Sequence, residues 1–195
     1  MMKKVVVVLV VLAMTQVASA AMLDLWITSL NGAPIDAVKE ITIQPSDTIN
    51  FDIVLTGAPA EGGLFSMDVD ITATGPGTLD VSELTEGDAG WVAAYNAELA
   101  VMDGYQIIRV NDSSPQPADP ELLVLDHILL HCDGEGQVII SLSENGTAGG
   151  TWLVDAGFNI IGAPDFGAPL IVNQIPEPAT MLLLGLGGLF LRRRK

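Results

Sequence analysis

Few residues of this chain are equipped for chemistry. Asp126, His127, His131 and Cys132 bring a carboxylate, two imidazoles and a thiol close together in sequence. On a helix, histidines four apart have metal-ligand spacing; on a strand they share a face but sit about 13 Å apart, too far for one ion. Because Leu122 to Leu130 reads as a strand, ordinary histidines on a sheet face or edge are expected in place of a zinc site. Asp68 and Asp70 alternate with Met67 and Val69, which puts both carboxylates on one strand face about 6–7 Å apart, a separation suited to glycoside hydrolysis. Ser66 and Thr72 continue the same polar side, so a solvated face is the simpler reading. Trp91 and Tyr95, four apart on an extended segment, offer a stacking surface for glycan contact, with core packing as the competing reading. Oxygen ligands for a hard cation lie near Asn111, Asp112, Asp119 and Glu121, and near Glu86 and Asp88, without EF-hand spacing. Structural Ca2+ is thus an open alternative to the main expectation of no cofactor and no metal. With no Gly-x-Ser-x-Gly elbow and no zinc motif, no catalytic residue is assigned and the chain reads as non-enzymatic.

The elements that hold these residues lie between two ends of different character. Met1-Met2-Lys3-Lys4, the apolar run from Val5 to Met14, and Ala18-Ser19-Ala20 form the charged, apolar and small-residue regions of a secretory signal peptide handled by the Sec export machinery, with cleavage after Ala20. At the other end, Pro176-Glu177-Pro178 makes a stiff, extended spacer, since each proline lacks a donor and biases its predecessor away from helix. Ala179 to Leu191 carries no charge, and as a helix it reaches only about 20 Å against a hydrocarbon core of roughly 30 Å. Residues 1–20, 21–174 and 175–195 are therefore the expected divisions, and the middle one is long enough for a single cored domain.

Charge follows the same partition. The middle segment keeps only Lys39 and Arg109 against 23 carboxylates, a net of −21. Such a field repels nucleic acid and anionic lipid and keeps an exported domain soluble. Cys132 is the only cysteine, so no intrachain disulfide can form and stability must come from the core.

Within the domain the hydrophobic period is two. Ile49, Phe51, Ile53 and Leu55 alternate with polar residues, and so do Phe65, Met67, Val69 and Ile71. Burying four such side chains is worth about 6–10 kcal/mol before entropy, enough to fix the inward face. Asn31-Gly32 and Asp103-Gly104 are turn signals, the latter predicting a hairpin between Leu99–Met102 and Tyr105–Val110. Leu122 to Leu130 is apolar enough for a central strand, Gly134-Glu135-Gly136 is expected to turn it, and Val138 to Leu142 to pair back. Short strands are expected near Trp152–Val154, Phe158–Ile161 and Leu170–Val172. No sustained helical period appears. The predicted fold is all-β: a two-sheet antiparallel jelly-roll-like sandwich of about nine strands, flanked by an N-terminal signal helix and a short C-terminal hydrophobic helix.

Two resemblances add to this reading. Pro176, Glu177 and Pro178, then Met181, Leu182, Leu183, Leu184, Gly185, Leu186, Gly187, Gly188, Leu189, Phe190 and Leu191, then Arg192, Arg193, Arg194 and Lys195 resemble the PEP-CTERM sorting signal of exported bacterial proteins. The resemblance implies a recognition motif, a membrane segment and a basic stop, in that order. It also implies an exosortase-type membrane protease as partner, with transient anchoring by the C-terminus before transfer to the cell surface or matrix. The strands and turns from Ile41 to Ile161 resemble cohesin-like and carbohydrate-binding-like sandwiches, which implies a fold and a leaning toward binding. The expected function is thus adhesion or scaffolding at the surface or in the extracellular matrix, with a surface protein or extracellular polysaccharide as partner. The alternative is a carbohydrate-binding or cohesin-like module linked to polysaccharide metabolism.

Overall fold

The computed structural model describes residues 21–58, 63–82, 85–86, 96–102, 105–112, 121–145, 150–155, 157 and 159–175, the side chains of 85–86, 96–102, 105, 107–112 and 121 excepted. Both expected flanking helices, Ala18 and Ala20, the Trp91–Tyr95 pair, Asp88, Asp119 and Pro176 to Lys195 lie outside these residues.

The fold is all-β and built as two facing sheets. The first contains β1 (Met22–Leu30), β2 (Ala33–Val38), β4 (Thr48–Thr56), β6 (Gly77–Asp80), β7 (Thr85–Glu86), β10 (Glu121–Cys132) and β14 (Asp165–Phe166). Its order is β14-β1-β4-β10-β6, with β2 on β1 and β7 on β10. The second contains β3 (Glu40–Ile43), β5 (Gly63–Thr74), β8 (Asn96–Met102), β9 (Tyr105–Asp112), β11 (Gly136–Glu144), β12 (Trp152–Val154), β13 (Ile160–Gly162) and β15 (Leu170–Gln174). Its order is β13-β12-β5-β11-β15-β3, with β9 on β5 and β8 on β9. The elements outnumber the nine expected because several are too short to leave a period in the sequence. Most pairs are antiparallel, but β1–β14 and β3–β15 run parallel.

The alternating residues do what their period requires with one exception: Phe65 is only half-buried and Leu64 takes the core position, because the register shifts where β12 pairs with this end of β5. Ile49, Phe51, Ile53 and Leu55 on β4 have no solvent exposure, and neither do Val69 and Ile71 on β5. They meet Leu23, Leu25 and Ile27 of β1, Ile128 and Leu130 of β10, and Val138, Ile140, Leu170 and Val172 of the opposite sheet in one core. Leu30 pairs with Ala33 across Asn31 (φ 51°) and Gly32 (φ 75°), the two positive-φ residues that a tight two-residue hairpin requires. The hairpin expected around residues 103–104 is present, with Met102 opposite Tyr105.

One pairing expectation is overturned. β11 does not return onto β10 but crosses to the other sheet, where β5 and β15 flank it. β10 already has β4 on one side and β6 and β7 on the other, so it has no edge left to offer. β10 also departs from a plain apolar strand. Its register against β4 slips between Leu123 and Leu125 and again between Leu125 and Ile128, each time by one extra residue. The first slip lets the neighbours Val124 and Leu125 both face the core; the second ejects His127. Cys132 ends the strand buried, and burial raises its thiol pKa, keeping it protonated and unreactive.

Outside the core, the outer face of β1 carries a charge latch. The Asp24 carboxylate is buried and paired with the Lys39 ammonium, which also donates to the Leu25 carbonyl and to the Ala168 carbonyl at 3.3 Å. The Lys39 ammonium lies 4.4 Å from the centre of the Trp26 ring, a cation–π contact. Gly167 closes over the pair, and its N–H donates to the Leu23 carbonyl at 2.8 Å. The latch ties the segment leading into β15 to β1.

Candidate functional site

The ejection of His127 creates a concave polar site on this face. His127 adopts φ 60°, a left-handed conformation uncommon for a side chain of its size, and stands half exposed. Its backbone N–H donates to Asp52 Oδ1 at 3.2 Å, and its Nδ1 lies 3.0 Å from Asp126 Oδ2. Thr28, Ser29, Asn50, Asp52, Asp126 and His127 line a cleft of about 290 Å³, rimmed by Gly32 and Pro34 of the first hairpin. Three features of the chain converge here: the β1–β2 hairpin supplies the rim, the outward residues of β4 supply Asn50 and Asp52, and the second bulge of β10 supplies the imidazole.

The electrostatics of the cleft centre on Asp52. Burial raises the Asp52 pKa above its usual 3.8, and hydrogen bonds from Thr28 and the His127 N–H only partly oppose it. A carboxylate whose pKa rises on folding contributes stability below its unfolded pKa and loses it as pH rises through the folded value. At neutral pH the charged Asp52 is therefore a local cost. Asp52→Asn, which keeps an acceptor for the His127 N–H, is expected to melt above wild type near pH 7, with the gap closing below about pH 4. Thermal melts of both proteins across that range check it; equal melting temperatures at every pH would contradict the burial argument.

The residues singled out in the sequence fall in different places. His131 sits on the regular ladder, opposite Thr48 on one side and Thr78 on the other, away from the bulge that carries His127. Asp68 is not part of a solvated face. It is 1% exposed, because the connection after β11 folds over it: the Asn145 N–H donates to its carbonyl at 3.0 Å, and its own N–H donates to Thr151 Oγ1 at 3.1 Å. Asn111 and Asp112 close β9 and Glu121 opens β10, so they belong to strands and not to a free loop. Among the described residues no group of three His, Cys, Asp or Glu side chains could hold a metal ion. No helix among them is long and apolar enough to cross a membrane.

A second surface lies at the far edge of the other sheet. Trp152 on β12 and Ile160 and Ile161 on β13 are 36%, 59% and 48% exposed. Among the described residues β13 ends that sheet, pairing with β12 on one side only. Sequence reasoning located these strands but not their exposure, because a short apolar run looks the same at an edge as at the centre.

Comparison with known proteins bears on both the tail and the sandwich. Residues 174–195 match the model of the PEP-CTERM protein-sorting motif, so the chain carries that motif at its C-terminus. Such a motif marks an exported protein that an exosortase processes. Among the curated proteins nothing matches the sequence. Among solved structures, the fold is similar to the cohesin in a type I cohesin–dockerin complex from Clostridium thermocellum, with a TM-score of 0.51, 13% identity, and 80% of this chain and 100% of that one covered. It is equally similar to the seventh ScaB type I cohesin from Pseudobacteroides cellulosolvens, with a TM-score of 0.51, 9% identity, and 81% and 94% covered. The sandwich is therefore cohesin-like in fold.

Proposed function

We propose that this is a non-enzymatic surface or extracellular-matrix protein, exported through an N-terminal signal peptide and sorted through its C-terminal signal, whose sandwich docks a protein partner in adhesion or scaffolding. The observation that carries the reading is the exposed apolar edge of Trp152, Ile160 and Ile161. On a domain with a net charge of −21, apolar side chains left exposed on the edge strand β13 and on its neighbour β12 have the character of a contact surface. An edge of this kind accepts an added strand or an apolar anchor from another protein. The cohesin-like fold supports the same direction, since the Clostridium thermocellum neighbour was solved with a dockerin. A glycan-binding alternative has its own support in the cleft, where Thr28, Asn50 and Asp52 offer hydroxyl, amide and carboxylate partners for sugar hydroxyls.

Retention on the extracellular matrix of the producing cells tests the choice. Matrix treated with a general protease should lose its capacity to retain the tail-trimmed protein, and Ile160→Asp with Ile161→Asp should not be retained by untreated matrix. Retention that survives the protease and disappears after polysaccharide digestion would replace this reading with the glycan one.

A further inference from the structure

The sorting motif overlaps the folded domain. The match begins at residue 174, yet Gln174 is the last residue of β15 and is 3% exposed. It is held on both sides, opposite Gly136 of β11 and Ile43 of β3. The Ile175 N–H then donates to the Ile43 carbonyl at 3.0 Å, and the next residue is Pro176, the first of the Pro-Glu-Pro triplet. Only Pro176 to Thr180 separate the last paired residue from the apolar run that begins at Met181, a span of about 17 Å when extended. A membrane protease that grips Pro-Glu-Pro must therefore work directly beside the paired end of the sandwich, where the turn at Gln44–Asp47 and the Asp133–Gly136 connection flank β15.

The same strand end has a built-in weakness. Gln174 points into the sandwich beside Gly77, where its neighbours along the strand, Val172 and Leu170, put apolar side chains. Among the described residues neither Oε1 nor Nε2 of its amide has a hydrogen-bond partner. A buried amide unsatisfied at both ends opposes burial, so opening this end of β15 is favoured over opening the same strand with an apolar residue there.

From this geometry we infer that the last residue of β15 and the one after it are a release latch: Gln174 and Ile175 leave Ile43 and Gly136 to give the sorting protease access to Pro176–Pro178, and the unpaired Gln174 amide sets how often they do so. The inference rests on exosortase processing of the tail. It concerns the step that limits processing, not the existence of the signal.

Pulse–chase labelling of the full-length chain in exosortase-bearing cells reads the rate of tail removal. Gln174→Leu fills the same space without the amide and should slow trimming by about tenfold, through a smaller open population. A flexible six-residue Gly/Ser insert between Ile175 and Pro176 should speed trimming of the wild type and restore the rate of Gln174→Leu. A slow Gln174→Leu chain that the insert does not rescue would mean that Gln174 is read by the protease as sequence, and the latch would be rejected. Equal rates for all four chains would reject it as well. No trimming of the wild type, with export intact, would instead overturn the sorting reading on which the latch depends.

Discussion

Lys39→Met is expected to remove about 3–5 kcal/mol of stability and to lower the melting temperature by roughly 10 °C. The size follows from what the substitution leaves behind. Asp24 is buried, and Lys39 is the one cation that reaches it among the described residues. Two backbone carbonyls, those of Leu25 and Ala168, lose a donor at the same time. A buried charge stripped of its partner costs far more than an exposed pair contributes, since the remaining ion keeps its desolvation penalty. The double variant Asp24→Leu with Lys39→Met should recover much of the loss, because an apolar pair of similar volume needs no compensation. Gly167→Ala should damage the same latch from the other side: a Cβ there would overlap Asp24 Oδ1, so the carboxylate or the covering chain must move. Chemical denaturation of the four proteins measures these effects. A Lys39→Met midpoint within error of wild type would show that Asp24 finds water or another partner.

How far the sequence anticipates this molecule depends on whether a residue's role is local. Period two along Ile49–Leu55 and Met67–Ile71 reports a strand and its inward face, because alternation is a property of consecutive residues, and it fails at Phe65, where the register shifts against β12. Asn31-Gly32 reports a hairpin because positive φ is needed at those two positions. The destination of β11 is not local. Gly134–Gly136 would serve equally a hairpin or a crossover, and only the occupied edges of β10 decide. Likewise the cleft rests on an extra residue at His127, and nothing in Leu125-Asp126-His127-Ile128 distinguishes a bulge from a regular step. Lys39 gave a usable signal: a lone lysine in a strongly acidic domain is a candidate for a specific pair. Its partner, fifteen positions back across a hairpin's worth of chain, could not be chosen among 23 carboxylates. The tail was legible because a sorting signal must be read by another protein as linear sequence. Its overlap with β15 was not, because Gln174 looks like the polar end of an exposed strand.

Phe51→Ala brings fold and sorting together. Phe51 is fully buried on β4, between Ile27 of β1 and Ile128 of β10, and is among the largest side chains in the core. Its truncation should cost about 3–5 kcal/mol, a large part of the roughly 5–15 kcal/mol that holds a domain of this kind folded. Phe51→Leu, which keeps most of the volume, should cost much less. If the folded end of the sandwich is what obstructs the protease, a domain that spends more time open must obstruct it less. The Phe51→Ala chain should then lose its tail at least as fast as wild type, and a flexible insert before Pro176 should accelerate it little, whereas Phe51→Leu should still respond to the insert. Early pulse–chase points, taken before degradation of the loosened domain sets in, separate these outcomes. Slower trimming of Phe51→Ala would mean that the protease needs the sandwich intact as a docking surface, so that the fold assists processing instead of delaying it.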